Sequence, residues 1–340
     1  MRLLLIGFGT VGQGLAELLV EKREALARDH GFTWSVTGIT DMQKGSCYDP
    51  AGIDLPRAVE LVQQGRSLST YPGAGCDWDA PTMIARAEAD TVVELTYTDI
   101  KTGEPATSHV RAALEAGRHV VTTNKGPLAL HYRELADLAR AKGVRFLFEG
   151  TVMSGTPVLN LVRETLTGSA IAEVRGILNG TTNYILTRME EGLDYASALK
   201  QAQELGYAEA VPDADVLGWD ALAKVTILAN VVFGAALRPD DSPCEGITGI
   251  SAADIAQARS AGERYKLIGR VWREGDAVRG SVAPQRVPLS HPLAGVMGAT
   301  NAMTVTTDTV GEVTIVGPGA GRRQTGFSVL VDLLAIGRQA

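Results

Sequence analysis

The chain has 340 residues, 45% hydrophobic and 21% charged, which is ordinary globular composition at a length beyond what one core usually fills. A formal net charge of -7, with no Lys/Arg run, excludes a nucleic-acid surface. No stretch approaches the ~20 apolar residues of a membrane span, and the apolar start is too short for a signal sequence. We therefore expect a cytoplasmic protein with a small-molecule substrate and neither nucleic-acid nor membrane partners. Cys47, Cys76 and Cys244 and the five histidines show neither a disulfide framework nor zinc-ligand spacing.

In chain order, residues 2–6 predict a short buried parallel strand, and Gly7-Phe8-Gly9-Thr10-Val11-Gly12 follows at once. Leu15, Leu18, Leu19 and Leu26 then recur at helical spacing. Gly-x-Gly-x-x-Gly between a strand and a helix is the arrangement of a dinucleotide site. Gly7 permits the tight turn, Gly9 lets backbone approach a pyrophosphate, and Gly12 allows close helix-to-strand packing. Thr10 and Val11 open the helix whose N-terminus attracts the anion. The alternative is a glycine-rich packing turn without a ligand. A second strand over residues 36–40 ends at Asp41. An acid there suits a ribose 2'-hydroxyl and NAD, whereas Lys44 suits a 2'-phosphate and NADP; Asp41 is equally read as a plain turn residue.

Strands are expected at residues 91–96 and 119–123, separated by a helix over 106–116 that Gly117 ends. Thr96, at the end of the first of these strands, is a candidate cofactor contact. The segment Thr122-Thr123-Asn124-Lys125-Gly126-Pro127 lies past the carboxyl end of a strand, where open α/β sheets bind ligands. Lys125 there is read either as a solvated loop charge or as a functional one. The alternation predicts a Rossmann-type doubly wound parallel sheet over residues 1–150, completed by a C-terminal helix over about 319–340. Another strand at 145–148 leads into Glu149-Gly150-Thr151-Val152-Met153-Ser154-Gly155-Thr156-Pro157. A strand over 173–178, a turn Asn179-Gly180-Thr181-Thr182-Asn183 and helices over 184–191 and 195–205 come next. This less regular pattern fits a second, α+β catalytic domain over 151–318.

Asp220 and Lys224 stand one helical turn apart in a helix apolar on nearly every side. Burying an ammonium costs several kcal/mol even after relaxation. A paired lysine in a closed pocket can hold and donate a proton, which suits chemistry at a carbonyl group. Read alone, the pair is better taken as an internal ion pair that fixes the helix.

The chain resembles the homoserine dehydrogenases over almost its whole length. The resemblance rests on the first glycine turn, Thr123-Asn124-Lys125, the 149–157 segment, Leu178-Asn179-Gly180-Thr181-Thr182-Asn183, Gly206-Tyr207-Ala208-Glu209 through Asp215, Gly218-Trp219-Asp220 with Lys224, and Gly317-Pro318-Gly319-Ala320-Gly321. It implies reduction of aspartate 4-semialdehyde to homoserine with NAD(P)H, on the branch to threonine and methionine, by a homodimer or higher oligomer. It also implies that Lys224 passes the proton, that Asp220 holds it with Asp215 nearby, and that Lys125 sits at the junction of cofactor and substrate. Glu209 then binds the substrate ammonium, with Gly180, Thr181 and Tyr207 beside the substrate, and Gly319 and Gly321 form a glycine turn on the nicotinamide side. Glu149 with the carbonyls of Val152, Ser154 and Thr156 resembles a monovalent-cation site for Na+ or K+.

Two departures from the family pattern stand out. Val211 occupies a position where members usually carry an acid, with Asp213 close by, and no regulatory module is expected after the C-terminal helix. The rival readings are another dehydrogenase of amino-acid-derived carbonyls, such as an aspartate dehydrogenase, and a nucleotide sensor without catalysis. The sensor needs none of Lys125, Glu209, Asp220 and Lys224.

Overall fold

The computed structural model describes residues 1–338. The chain divides into two compact units, one comprising Met1–Gly155 with the segment that starts at Gly321, the other Thr156–Ala320.

The described residues of the first unit form a seven-stranded sheet in the spatial order Gly75–Cys76, Gly45–Tyr48, Ser35–Asp41, Arg2–Ile6, Thr91–Glu94, His119–Thr122, Phe146–Leu147. Five strands pair in parallel from Ser35–Asp41 to Phe146–Leu147, a Rossmann-type core. Thr91–Glu94 is buried along its whole length, as expected of a strand covered on both faces. Gly45–Tyr48 and Gly75–Cys76 add antiparallel at one edge, and these short segments carry too little apolar pattern to announce themselves.

Several elements differ from the expected bounds. The first helix is broken at Lys22 into Thr10–Glu21 and Arg23–His30, so Leu26 belongs to the second piece. The expected strands at 91–96 and 119–123 stop at Glu94 and Thr122, where hydrogen bonds to side chains replace the ladder. The helix Lys125–Lys142 is capped by Asn124, whose side chain accepts the Gly126 N–H. The C-terminal helix is Arg322–Gly337, starting after the expected residue 319; residues 339 and 340 of that expectation lie outside the described residues. It lies against Thr10–Glu21 through two glycines: a Cβ on Gly14 would sit 2.3 Å from the Arg322 carbonyl oxygen, and one on Gly326 2.7 Å from the Leu15 nitrogen.

The second unit holds an antiparallel sheet in the order Ala277–Pro288, Glu263–Glu274, Ile171–Ile177, Thr300–Thr307, Gly311–Pro318. Its long hairpin pairs without a slip from Ala277 with Glu274 to Pro288 with Glu263. The apolar helix Trp219–Val232 approaches this sheet where side chains are missing. A Cβ on Gly269 would lie 2.8 Å, and one on Gly280 2.9 Å, from Val225. The expected turn over residues 179–183 is instead a helix start. Asn179 accepts the Thr182 N–H at 2.9 Å and thereby caps the helix Gly180–Glu190.

Candidate active site

In the first unit the three turn glycines have three different surroundings. Gly7 has φ +95°, and a Cβ there would meet the Leu95 carbonyl oxygen at 2.5 Å. A Cβ on Gly12 would meet the Gly7 carbonyl oxygen at 2.7 Å, so helix and turn touch by backbone. Gly9 is different, because a Cβ there would meet nothing within 4 Å. Gly9 precedes the helix that starts at Thr10, Val11 and Gly12, and no side chain caps that helix. Its first N–H groups are oriented outward from the helix start, as an anion site requires.

Asp41 is a fixed acceptor. Its carboxylate takes the Phe8 N–H at 2.8 Å and the Gln43 and Lys44 N–H groups at 3.0 Å. Burial pushes its carboxyl up, but these hydrogen bonds and the charge of Lys44 outweigh it and hold it below the usual aspartate value. The Lys44 ammonium lies 3.6 Å from the same carboxylate, so the two residues that sequence set in opposition are an ion pair.

At the other side of the sheet, sequence reasoning passed over Glu94. Its side chain is fully buried and accepts from the Thr96 backbone and hydroxyl and from the Thr122 hydroxyl. An acid at the end of a Val-rich strand gives no signal of a partner until the strands are paired. Lys125 opens the helix capped by Asn124, immediately after this cluster.

In the segment after Glu149, which is itself buried, Met153 and Ser154 are both left-handed, with φ 58° and 53°. Two consecutive non-glycine residues in that region are costly and persist only where the surroundings enforce them. The Ser154 hydroxyl is 2.7 Å from that of Thr325. Thr156 belongs to the second unit, where its hydroxyl donates to the Pro318 carbonyl at 3.0 Å. Glu149, Val152 and Ser154 are thus grouped in one unit and Thr156 is in the other.

In the second unit Lys224 is 6% exposed. Its ammonium donates to the Leu178 carbonyl at 2.6 Å and to Asp220 at 2.7 Å, leaving the third N–H uncommitted among the described residues. Asn179, unremarked in the sequence except as part of a turn, connects the acids. Its amide donates to Asp215 at 2.6 Å and to Asp220 at 3.0 Å. Burial, and then the charge of Asp220, push the Asp215 carboxyl above the usual value. Gly180 starts the helix with no room for a side chain, since a Cβ would lie 2.6 Å from the Ala299 carbonyl oxygen. The Thr181 hydroxyl donates to the Tyr207 carbonyl at 2.6 Å, fastening the 206–209 segment to that helix.

Glu209 is not drawn into this cluster. It is exposed, and its backbone carbonyl, not its carboxylate, accepts from Gln203 at 3.1 Å. Val211 is 73% exposed, and the Tyr207 ring stands partly exposed against Tyr184 at 5.0 Å. Gly319 lies in the second unit, flat against the Asn301 amide with its Cβ position 2.3 Å away, whereas Gly321, with φ +135°, begins the returning segment of the first unit. A second buried lysine, Lys266, escaped the sequence reading because it lies in a strand without regular alternation. It donates to Asn183 at 2.9 Å and to the Val296 carbonyl at 2.5 Å, and burial pushes its pKa down to about 8.

The comparisons with known proteins agree across both units. The model of the homoserine dehydrogenase NAD-binding domain matches residues 7–149, and that of homoserine dehydrogenase matches residues 157–334. The chain is 46% identical, over all of its length and 97% of the relative, to the NAD(+)-dependent homoserine dehydrogenase of Pseudomonas canavaninivorans. It is 41% identical to the homoserine dehydrogenase of Methanocaldococcus jannaschii, covering 99% of this chain and 98% of that one. A hyperthermophilic archaeal homoserine dehydrogenase solved in complex with NADPH superposes with a TM-score of 0.86 at 30% identity, over 100% of this chain and 98% of that one. The chain belongs to the homoserine dehydrogenase family.

Proposed function

We propose that this chain interconverts L-aspartate 4-semialdehyde and L-homoserine with a nicotinamide dinucleotide, on the branch to threonine and methionine, and that Lys224 handles the proton. The observation that carries this reading is the committed geometry of the buried ammonium: two acceptors hold it and one N–H remains for a substrate oxygen. Reduction of a carbonyl builds negative charge on oxygen. A cation that also delivers a proton there lowers the barrier, typically by about 10²- to 10⁴-fold for a general acid. Asp220 aims the ammonium, and Asn179 keeps Asp220 and Asp215 in register with it. In the oxidative direction the same lysine takes the hydroxyl proton back.

Glu209 supplies a carboxylate for the substrate ammonium, and its exposure in the chain alone leaves it available for that contact. Thr181, Gly180 and Tyr207 are assigned to the substrate as one connected unit. Lys125, Thr96, Gly7, Gly9, Thr10, Val11 and Gly12 are assigned to the dinucleotide, with Gly319 and Gly321 on its nicotinamide side. The residues fit such a cofactor: Gly9 faces open space and the uncapped helix start receives the pyrophosphate. When bound, the dinucleotide supplies or accepts the hydride. Asp41 accepts three N–H groups while the Lys44 ammonium lies 3.6 Å from Asp41, so the fixed group favours a ribose hydroxyl and hence NAD.

Glu149, Val152 and Ser154, in the first unit, offer oxygen donors of the kind that suit a hard ion such as Na+ or K+. A homodimer or larger assembly and a cytoplasmic location complete the reading. No helix among the described residues is long and apolar enough to cross a membrane.

The experiment is a panel assay of initial rates: homoserine-dependent reduction of NAD+ and of NADP+, with aspartate and malate as controls, at varied Na+ and K+. Turnover with homoserine, faster with NAD+, is expected. No turnover with homoserine sinks the proposal, and turnover with aspartate instead selects the rival dehydrogenase.

A further inference from the structure

Glu94 closes the Thr91–Glu94 strand with none of its side chain exposed. Its Oε1 accepts the Thr96 N–H at 3.1 Å and the Thr96 hydroxyl, and its Oε2 accepts the Thr122 hydroxyl at 3.0 Å. The Nδ1 of His109, itself buried, lies 3.6 Å from the same Oε1. The Thr122 oxygen in turn accepts the Asn124 N–H at 3.0 Å. The Asn124 amide donates to the carbonyls of Thr96 at 3.3 Å and Tyr97 at 2.8 Å, while its oxygen accepts the Gly126 N–H at 3.2 Å. One carboxylate therefore fastens two loops that leave neighbouring parallel strands at their carboxyl ends. Behind them there is no slack, because a Cβ on Gly126 would lie 2.7 Å from the Gly103 Cα and 2.8 Å from the Asp99 carbonyl oxygen.

A buried carboxylate costs several kcal/mol unless charge and hydrogen bonds compensate, and an apolar residue would end a central strand at lower cost. Here the compensating hydrogen bonds come from Thr96 in one loop and from Thr122 at the end of the neighbouring strand, while the His109 Nδ1 of the helix Ala106–Glu115 lies 3.6 Å away without a hydrogen bond among the described residues. The arrangement spends stability on geometry, as groups that support a reacting shell do. We propose that Glu94 is a positioning residue of the reaction: it sets the Thr96–Tyr97 loop and the turn that presents Lys125, both at the end of the sheet where the dinucleotide binds. This rests on the assignments of Thr96 and Lys125 in the preceding section.

The test is a double-mutant cycle on the full chain with Glu94→Gln and Lys125→Ala. It is read in kcat with homoserine and in the dissociation constant of NADH from protein fluorescence, beside the urea midpoint. Glu94→Gln is expected to lower kcat about tenfold and weaken NADH severalfold with a native-like midpoint. In the Lys125→Ala background its effect on kcat should shrink to less than twofold. Kinetics and binding within twofold of wild type, or equal factors in both backgrounds, overturn the inference. If Glu94→Gln does not fold, Thr122→Val takes its place in the cycle with the same expectations, and failure of both to fold assigns Glu94 to structure alone. NADH binding needs no substrate. Absence of wild-type turnover with homoserine would refute the proposed activity while the binding cycle still decides the role of Glu94.

Discussion

In the first unit the residues that sequence singles out work by what they lack. Gly7 and Gly12 leave no room for a methyl group, Gly9 leaves open space, and the helix start offers backbone N–H groups without a side-chain cap. In the second unit they work by what they carry. Lys224, Asp220 and Asp215, connected by the amide of Asn179, which the sequence does not single out, place charges at hydrogen-bonding distance in a mostly buried setting. Binding a polyanion and moving a proton make opposite demands on a fold. A backbone cradle needs neither desolvated charge nor an exact rotamer, whereas a proton donor needs both, with partners that hold it without neutralising its use.

The two buried lysines sharpen the same contrast within one unit. Lys224 has a carboxylate at 2.7 Å and a carbonyl, whereas Lys266 is held by the Asn183 amide oxygen and the Val296 carbonyl. The pairing with Asp220 fixes the position of the Lys224 ammonium within its helix. Lys266 fastens the 296–300 segment to the helix Gly180–Glu190, since Asn183 also donates to the carbonyls of Gly298 at 2.9 Å and Thr300 at 3.0 Å.

If this division holds, substitutions should separate chemistry from binding and from stability. The largest effect is expected for Lys224→Ala. Steady-state rates should show kcat lowered by about 10²-fold or more with cofactor affinity within a few fold, and an unchanged kcat would make Lys224 structural. Gly7→Ala should follow, destabilising the first unit by about 2 to 3 kcal/mol in urea unfolding, because it combines a positive φ with a clash against backbone. Gly9→Ala should leave the urea midpoint in place and weaken the dinucleotide about tenfold, through lost approach alone. Equal midpoints for the two alanine variants would break the distinction drawn between these glycines.

Glu209→Gln should raise the KM for homoserine about tenfold at little cost in kcat, in keeping with loss of a charged hydrogen bond. A KM that does not move would hand the substrate ammonium to another group. Val211, two residues after Glu209, is exposed and supplies no charge that could take its place.

The smallest effects are in the pH dependence of stability. Asp215 is raised in the folded state, so the folded chain binds its proton more readily than the unfolded chain does. Its contribution is therefore present at low pH and is lost as pH rises through the folded value. Asp215→Asn should accordingly raise the urea midpoint at neutral pH, with the gain shrinking as pH falls toward the ordinary aspartate value of 3.8. A gain that is the same at both pH values would contradict the assignment. Lys266 is lowered from 10.5 to about 8, so between those values the unfolded chain holds more protons and stability rises with pH. The stability of wild type relative to Lys266→Met should climb across that window, and a flat difference would remove burial as the cause.

What was legible in the sequence follows the range of the interactions. The glycine turn and the Asp220–Lys224 pair depend on residues within one or two turns of each other, so spacing reveals them, and the strand before the turn shows as a short apolar run. The cap at Asn179 was read as a turn because Asn-Gly carries a strong turn signal. Only the fold brings Asp215 and Asp220 to the same side chain from 36 and 41 residues away. Glu94 was hidden for a like reason, its partner Thr122 being 28 residues on in a neighbouring strand. The hairpin of Glu263–Glu274 and Ala277–Pro288 was missed because Lys266 and a succession of arginines blur the period of two that marks a half-buried strand. The segment from Glu149 to Thr156 reads as continuous, yet the break between compact units falls at Gly155.

The most direct test sets Lys224→Ala beside Gly9→Ala in single-turnover oxidation of homoserine at saturating dinucleotide, with the dissociation constant of each variant measured on the same preparation. A crossing pattern is expected: Lys224→Ala binds the dinucleotide as wild type does and transfers hydride about a hundredfold more slowly, while Gly9→Ala binds weakly and transfers hydride at nearly the wild-type rate once saturated. Parallel losses of binding and transfer in both variants would contradict it.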